Sequence, residues 1–450
     1  MRVSPPPSVD EHLGRLDLES LELLFGVGMV SSDGQYLSWD EARFRQPPSG
    51  LSTEDWWFAM RWARRNSRTM LPLLDKAGKR FCFSEPPILR SGLHWIDTQG
   101  SGQILTETPA ATSAQRDRYI MTSLIEEAFA SSVLEGAATT RQAAREMIRD
   151  HREPRSLGEH MVLNNYRAME FVREHANQPL TPAVILDLHR IVTEGTLEKP
   201  EMAGRLRRAE DDVKVVDPRD GEVLHIPPAA DTLPKRLDTL CAFANDLNPP
   251  PDKFIHPVVR AIILHFMIGY DHPFVDGNGR TARALFYWSM LRQRYWLMEF
   301  ISISSIIRRS PVQYAKAYLN SELDENDLTY FLFNQTKVVR LAIEGLQNYL
   351  TRKAREIELV ETWLDGTPHE GRFNHRQLDV LKTGARSPGA QVTVDGHKNK
   401  HRVSYHTARA DLEDLLAAGL LRKRQVGRGK AYVAPSDLTQ RLQGRKKGSS

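Results

Sequence analysis

One stretch, His272 to Arg283 (HPFVDGNGRTAR), constrains this chain more than any other. An apolar run at helical spacing, Ala261 to Tyr270, leads into it, and a second, Ala284 to Leu291, leads out. The spacing predicts a loop that joins two buried helices and sits at the N-terminus of the second. Gly277-Asn278-Gly279 lets main-chain N–H groups converge there, where the start of a helix favours an anion. Arg280 and Arg283 stand three residues apart on one helical face, and guanidinium forks suit phosphate oxygens. Asp276 is a hard oxygen ligand of the kind Mg²⁺ takes beside substrate phosphates, and His272 is of the type that accepts a proton from a hydroxyl. Each residue alone is commonplace in a turn. Their coincidence in one loop points to nucleotide-dependent transfer.

On these residues the chain resembles the Fic (filamentation induced by cAMP) family, whose signature is His-x-Phe-x-Asp/Glu-Gly-Asn-Gly-Arg-x-x-Arg; every fixed position is met. The resemblance implies a mainly α fold, a Fic-type helical bundle with a β-hairpin flap, that transfers AMP from ATP to a Ser, Thr or Tyr hydroxyl of a target protein or of itself. It implies His272 as the base, Asp276 as the Mg²⁺ ligand, and Gly277, Asn278 and Gly279 as the nucleotide's anion hole. Arg280 and Arg283 then hold the outer phosphates, and Phe274 is a buried anchor. Upstream, Ser131-Ser132-Val133-Leu134-Glu135-Gly136 is similar to the family's inhibitory motif, Ser/Thr-x-x-x-Glu-Gly/Asn. Carried over, Ser131, Glu135 and Gly136 form an inhibitory element in which Glu135 competes with the γ-phosphate for Arg283.

Between these motifs, Gly204 to Pro228 breaks the helical rhythm, and its alternation on both sides of Asp217 to Gly221 reads as a β-hairpin. It stands where the family carries its flap, whose edge takes up the target as an added strand. Val215, Val216 and His225 are the candidate target contacts. Gly204-Arg205-Leu206-Arg207 resembles a Gly-x-x-Arg lead-in of the family, and its arginines read equally well as surface charge. His189 reads as structural.

At 450 residues the chain is long for one core. Three regions are expected: a small α+β accessory region at 1–110, the catalytic domain at 111–355, and a winged helix-turn-helix with a basic tail at 356–450. Net charge is +4, yet residues 371–450 hold 17 Lys or Arg against 6 Asp or Glu, a balance of +11 that leaves the rest at −7. That asymmetry suits an anionic partner, most simply DNA. Ser404 to Ala418 would be the recognition helix and Arg424 to Lys430 the wing. Lys398, Lys400, Arg402, Arg409, Arg428 and Lys430 would meet phosphates. Such modules also bind proteins, so the partner stays open, as does a homodimer.

The two cysteines, Cys82 and Cys241, lack metal-type spacing, and the N-terminus lacks a signal pattern. A cytoplasmic protein is expected. Short helices are predicted over Leu16–Phe25, Arg141–Arg152 and Arg376–Lys382; Trp56, Trp57, Phe58 and Trp62 read as a core stripe; Arg80 to Trp95 reads as strands or loop broken by Pro86-Pro87. Ser310-Pro311 starts a helix bearing Tyr314 and Tyr318. Against the enzyme stands a DNA-binding regulator that uses the same fold as a nucleotide sensor, and an intact His272 and Asp276 argue for chemistry. Removal of AMP, with Glu135 orienting a water, is a third reading.

Overall fold

Helices dominate the structure, a computed structural model that describes residues 3–7, 26–100, 113–217, 219–364, 369, 371–387, 389–401, 403–426 and 429–442. The helix expected over Leu16–Phe25, the residues Arg402 and Arg428, and nearly all of the basic tail lie outside the described residues. Two units result: Met1–Ile104 with Ile120–Glu344, and Leu105–Tyr119 with Gly345–Ser450.

The first unit opens with α1 (Trp39–Ala42) and α2 (Thr53–Arg65). A capping box starts α2: Ser52 Oγ accepts from Asp55 N at 3.1 Å, and the Asp55 carboxylate accepts from Ser52 N. Trp56, Trp57 and Phe58 are buried as their spacing predicts, whereas Trp62 stays 41 % exposed. Arg64 is buried too, its guanidinium over the Tyr36 ring and donating to Tyr330 Oη at 2.8 Å and Leu37 O at 2.9 Å. β1 (Thr69–Leu74) and β2 (Arg80–Phe83) pair antiparallel. The expected strand or loop through Trp95 is corrected at Pro87, where α3 (Pro87–Gly100) begins. Proline suits a first helical turn, whose N–H groups have no partners within the helix, and Leu89, Leu93 and Ile96 then bury one stripe. The described part of the expected accessory region belongs to the same unit as the helices that follow.

Next come α4 (Ser113–Leu134), α5 (Arg141–Arg149), α6 (Leu157–His175) and α7 (Pro182–Thr193). Thr181 caps α7, with Oγ1 accepting from Val184 N at 3.2 Å and Pro182 in the first turn. α5 ends three residues short of expectation, before His151, which is left-handed (φ 51°). β3 (Val215–Val216) and β4 (Val223–His225) form the expected hairpin, with shorter strands and a shift in register. Its turn closes through Asp217 N to Glu222 O and Gly221 N to Asp217 O, both 2.8 Å, with Gly221 at φ 72°.

α8 (Leu233–Asn245) leads to the central pair, α9 (Pro257–Asp271) and α10 (Asn278–Arg292). Thirteen of the fifteen residues of α9 are buried, as befits a helix apolar on every face. α11 (Ile303–Ile307), α12 (Pro311–Leu323) and α13 (Thr329–Leu364) follow. Among the described residues no helix is long and apolar enough to cross a membrane.

In the second unit, α14 (His375–Arg386) starts at a capping box on Asn374. β5 (Gln391–Val392), α15 (Val394–His401), α16 (Tyr405–Ala417), β6 (Arg422–Val426), β7 (Gly429–Val433) and α17 (Leu438–Leu442) complete it. The sheet is antiparallel, in the order β5-β7-β6. Leu381, Leu412, Leu415, Leu420, Tyr432 and Leu438 form its core.

Candidate active site

α9 ends on His272 in a left-handed conformation (φ 44°, ψ 56°), with its N–H returned to Ile268 O at 3.1 Å. Glycine ordinarily takes this place because it has no Cβ to clash. The imidazole Nδ1 lies 3.3 Å from Gly269 O. A carbonyl only accepts, so Nδ1 carries the hydrogen and Nε2 the lone pair. Burial pushes the pKa of His272 down to about 4. The ring is therefore a neutral base at pH 7.

The loop is held from several sides. Phe274 is fully buried and stacked on the His189 ring, 3.7 Å between centroids. His189 Nε2 donates to Asp276 O at 2.9 Å, and its Nδ1 accepts from Gly204 N at 2.9 Å. Burial brings its pKa to about 4 as well, so His189 is a neutral strut from α7 to the loop. Asn278 Oδ1 accepts from Phe274 N at 3.0 Å, and Nδ2 donates to Phe274 O at 2.8 Å. The expectation that Asn278 lines an anion hole is thereby narrowed: its amide closes the loop, and its main-chain N–H, in the first turn of α10, is what an anion could use. Gly277 (φ 80°) passes so close to α7 that a Cβ would lie 2.7 Å from Thr193 Cγ2.

Arg280 and Arg283 part company. Arg283 is buried; Nε donates to Ser131 Oγ at 2.9 Å, and one terminal nitrogen donates to Ser131 O at 3.1 Å and Glu135 Oε1 at 2.8 Å. Arg280 instead donates to Val192 O at 2.7 Å and reaches Asp276 Oδ2 at 3.3 Å. The two guanidinium groups, expected on one polyphosphate, thus have different partners. Residues three apart are offset by about 60° around a helix, enough to turn Arg280 to the last turn of α7. The side chain of Asp276 is 53 % exposed, with Oδ1 accepting from Gly277 N at 2.6 Å.

α4 brings the upstream motif here. Ser131 meets Arg283, and Gly136 (φ 89°) closes the helix end through its N–H to Val133 O at 3.1 Å, just past Glu135. A Cβ on Gly279 would overlap the Glu135 carboxylate, so that carboxylate lies directly against the start of α10. One rung earlier, Glu127 is buried and accepts from Tyr287 Oη (3.0 Å), Ser302 Oγ (2.7 Å) and Ser304 N (3.1 Å). Sequence reasoning missed Glu127, although Glu127, Ser131 and Glu135 recur every four residues.

A cavity of about 240 Å³ opens beside these groups, bordered by His272, Gly279, Arg283, Glu135, Tyr314, Tyr318 and Glu322. Val215 and Leu224 close it from the hairpin. Val216 is 47 % exposed, but His225 is buried, with Nδ1 2.7 Å from Glu322 Oε2 and Nε2 2.7 Å from Tyr270 O. His225 thus lines the cavity from the inner side of the hairpin. Val215 and His225 are paired across the hairpin and share a face, and that face is the inner one. Arg207, read equally as surface charge, is buried under the loop.

Residues 179–290 match the model of the Fic/DOC family. A protein adenylyltransferase Fic from Nematostella vectensis is 30 % identical over 188 residues, covering 40 % of this chain and 41 % of that protein. One from Drosophila grimshawi is 33 % identical over 144 residues, 31 % of this chain and 27 % of that one. The chain spans less than half the length of these curated relatives. Among solved structures, a Fic family protein from Desulfovibrio desulfuricans G20 covers 82 % of this chain and 99 % of its own, at 19 % identity and a TM-score of 0.49. The matched segment runs from α7 through most of α10 and contains the whole HPFVDGNGRTAR loop, so it is over this segment that the chain is similar to the Fic/DOC family.

Proposed function

We propose that the chain is a protein adenylyltransferase that moves AMP from ATP to a Ser, Thr or Tyr hydroxyl, on a target protein or on itself, and that Glu135 holds it in check. One observation carries the reading: a neutral His272, the N-terminal turn of α10 and the Arg283 guanidinium border a single cavity. His272 Nε2 takes the proton of the target hydroxyl as its oxygen bonds to the α-phosphorus. The bond from that phosphorus to the bridging oxygen breaks, and pyrophosphate leaves. First-turn N–H groups of α10 stabilise charge on the phosphates, and Arg283 holds the outer one. The half-exposed carboxylate of Asp276 fits Mg²⁺, which takes few protein ligands and completes its shell with water and phosphate. When bound, that ion neutralises phosphate charge.

Glu135 now lies where the γ-phosphate would go, on Arg283 and against Gly279. A carboxylate there competes with the nucleotide for the same donors, while Ser131 and Gly136 fix its position. ATP labelled at the α- or the γ-phosphate, supplied with Mg²⁺ to wild type, His272→Ala and Glu135→Gly, tests both points. Protein should take α-label, more in Glu135→Gly than in wild type and none in His272→Ala. γ-Label on protein, or none from either nucleotide in any variant, would overturn the reading. Equal α-label in wild type and Glu135→Gly would remove the inhibitory role alone.

The second unit favours a further reading. Its order of helix, strand, helix, helix and hairpin supports reading it as a winged helix-turn-helix that would take DNA as its partner, with Ser404 to Ala418 as the recognition helix. Arg409 on that helix is exposed and 3.9 Å from Glu413, whereas Lys400 and Lys423 are engaged more closely, with Asp379 (2.6 Å) and Glu413 (2.7 Å). Phosphate contact would draw on Arg409 and Lys398 before either.

A further inference from the structure

Arg207 precedes the hairpin in a polar stretch, yet its side chain is buried. Its guanidinium spends its hydrogens on main-chain oxygens: Nε donates to His272 O at 2.8 Å, and one terminal nitrogen donates to Asp271 O at 3.3 Å and to Pro228 O. The main chain joins in, with Arg207 N donating to Pro273 O at 2.8 Å. Among the described residues no carboxylate stands within ion-pair distance of this guanidinium; carbonyls are its direct partners, and Asp271 and Asp211 act on its charge only from farther away. Such an arrangement is costly unless every carbonyl is correctly placed.

The three carbonyls belong to two segments that the transfer reaction must register. Asp271 and His272 are the end of α9, where the left-handed turn aims the imidazole. Pro228 is the foot of the hairpin, three residues past β4. Among the described residues the imidazole has one polar contact of its own, the 3.3 Å approach to Gly269 O, so its aim depends on the backbone beneath it. A non-glycine residue is disfavoured in the left-handed region, because its Cβ crowds the following carbonyl oxygen. Something must hold it there.

We propose that Arg207 is a positioning residue for the transfer: by bridging the carbonyls of Asp271, His272 and Pro228 it fixes the base against the hairpin that would present the hydroxyl. The proposal rests on the adenylyltransferase reading for its chemistry and on geometry alone for the bridge. Lysine keeps the charge but cannot span three acceptors with a planar fork, so Arg207→Lys isolates the bridging role, and Arg207→Ala removes both.

In full-length protein, α-label transfer by Arg207→Lys should fall about tenfold to a hundredfold in kcat, the scale of a roughly 1 Å misplacement. KM for ATP should hold, since Arg207 is no part of the nucleotide cavity. Guanidinium ion at millimolar concentration should restore part of the rate to Arg207→Ala, and sodium at equal ionic strength should not. Amide exchange should quicken together at residues 271–276 and 222–228 in both variants. A residue that merely stabilises the fold would lower Tm without rescue and without a split between kcat and KM. Wild-type kcat in Arg207→Lys, or exchange unchanged at either segment, overturns the proposal. If wild type transfers no label, the adenylyltransferase reading fails on its own, and the paired exchange response alone decides whether Arg207 bridges the segments.

Discussion

His272 shows what burial does to a histidine. An exposed histidine is partly protonated near neutrality, whereas burial at the end of α9 brings this one to about 4. The sign follows directly: the folded state keeps the ring neutral until the pH falls toward 4, so no activity is lost to its protonation above about 5. For Glu135→Gly, the acid limb of kcat/KM should therefore lie well below 6.5, and a limb at 6.5 would contradict the burial of the base. Stability moves with it. Between pH 6.5 and 4 the unfolded chain binds a proton that folded His272 refuses, so this ring's contribution falls as the pH drops through that window. His189, also at about 4, and His265, at about 3, act in the same direction.

Among elements, α4 and α10 meet along a polar ladder, in which Glu127 engages Tyr287 and both Ser131 and Glu135 engage Arg283. The Glu127 rung is the anchor, because its carboxylate accepts from four donors on three residues at a buried site. Glu127→Ala should lower the unfolding free energy by about 1–3 kcal/mol, the cost of stranding buried donors, and Glu127→Gln by less; denaturant titration of the two variants measures it. α9 and α10 were legible in the sequence because unbroken apolar runs admit few alternatives. α3 was misread because Pro86-Pro87 breaks a helix from within but starts one from its edge. α15 escaped notice because its one buried side chain is His397, so VDGHKNKH carries no apolar stripe. Arg64 and Arg207 were illegible for a different reason: an arginine that faces carbonyls and one that faces water have the same local sequence.

For the whole molecule, the charge asymmetry along the chain was plain from composition, and the division into units was not. Residues 26–100 belong to the first unit through contacts such as Tyr36 Oη to Asp327 Oδ2, 2.5 Å across 291 positions, which no local pattern announces. The excess of +11 at residues 371–450 leads to a test at this scale. If DNA is the partner, retention on duplex DNA should fall steeply with added salt, as counterion release requires. It should vanish when residues 371–450 are deleted, and retention that survives the deletion would exclude this region as the binding element.

The signature loop has one more consequence. Phe274 is pinned on His189, Asn278 is bonded to Phe274 through both of its amide atoms, and Gly277 is pressed against Thr193. A glycine-rich loop usually surrenders conformational entropy when it closes on an anion, and affinity is reduced by that amount. Here the ordering was completed when the chain folded. A phosphate that bound here would therefore meet a loop already ordered, at little cost in conformational entropy.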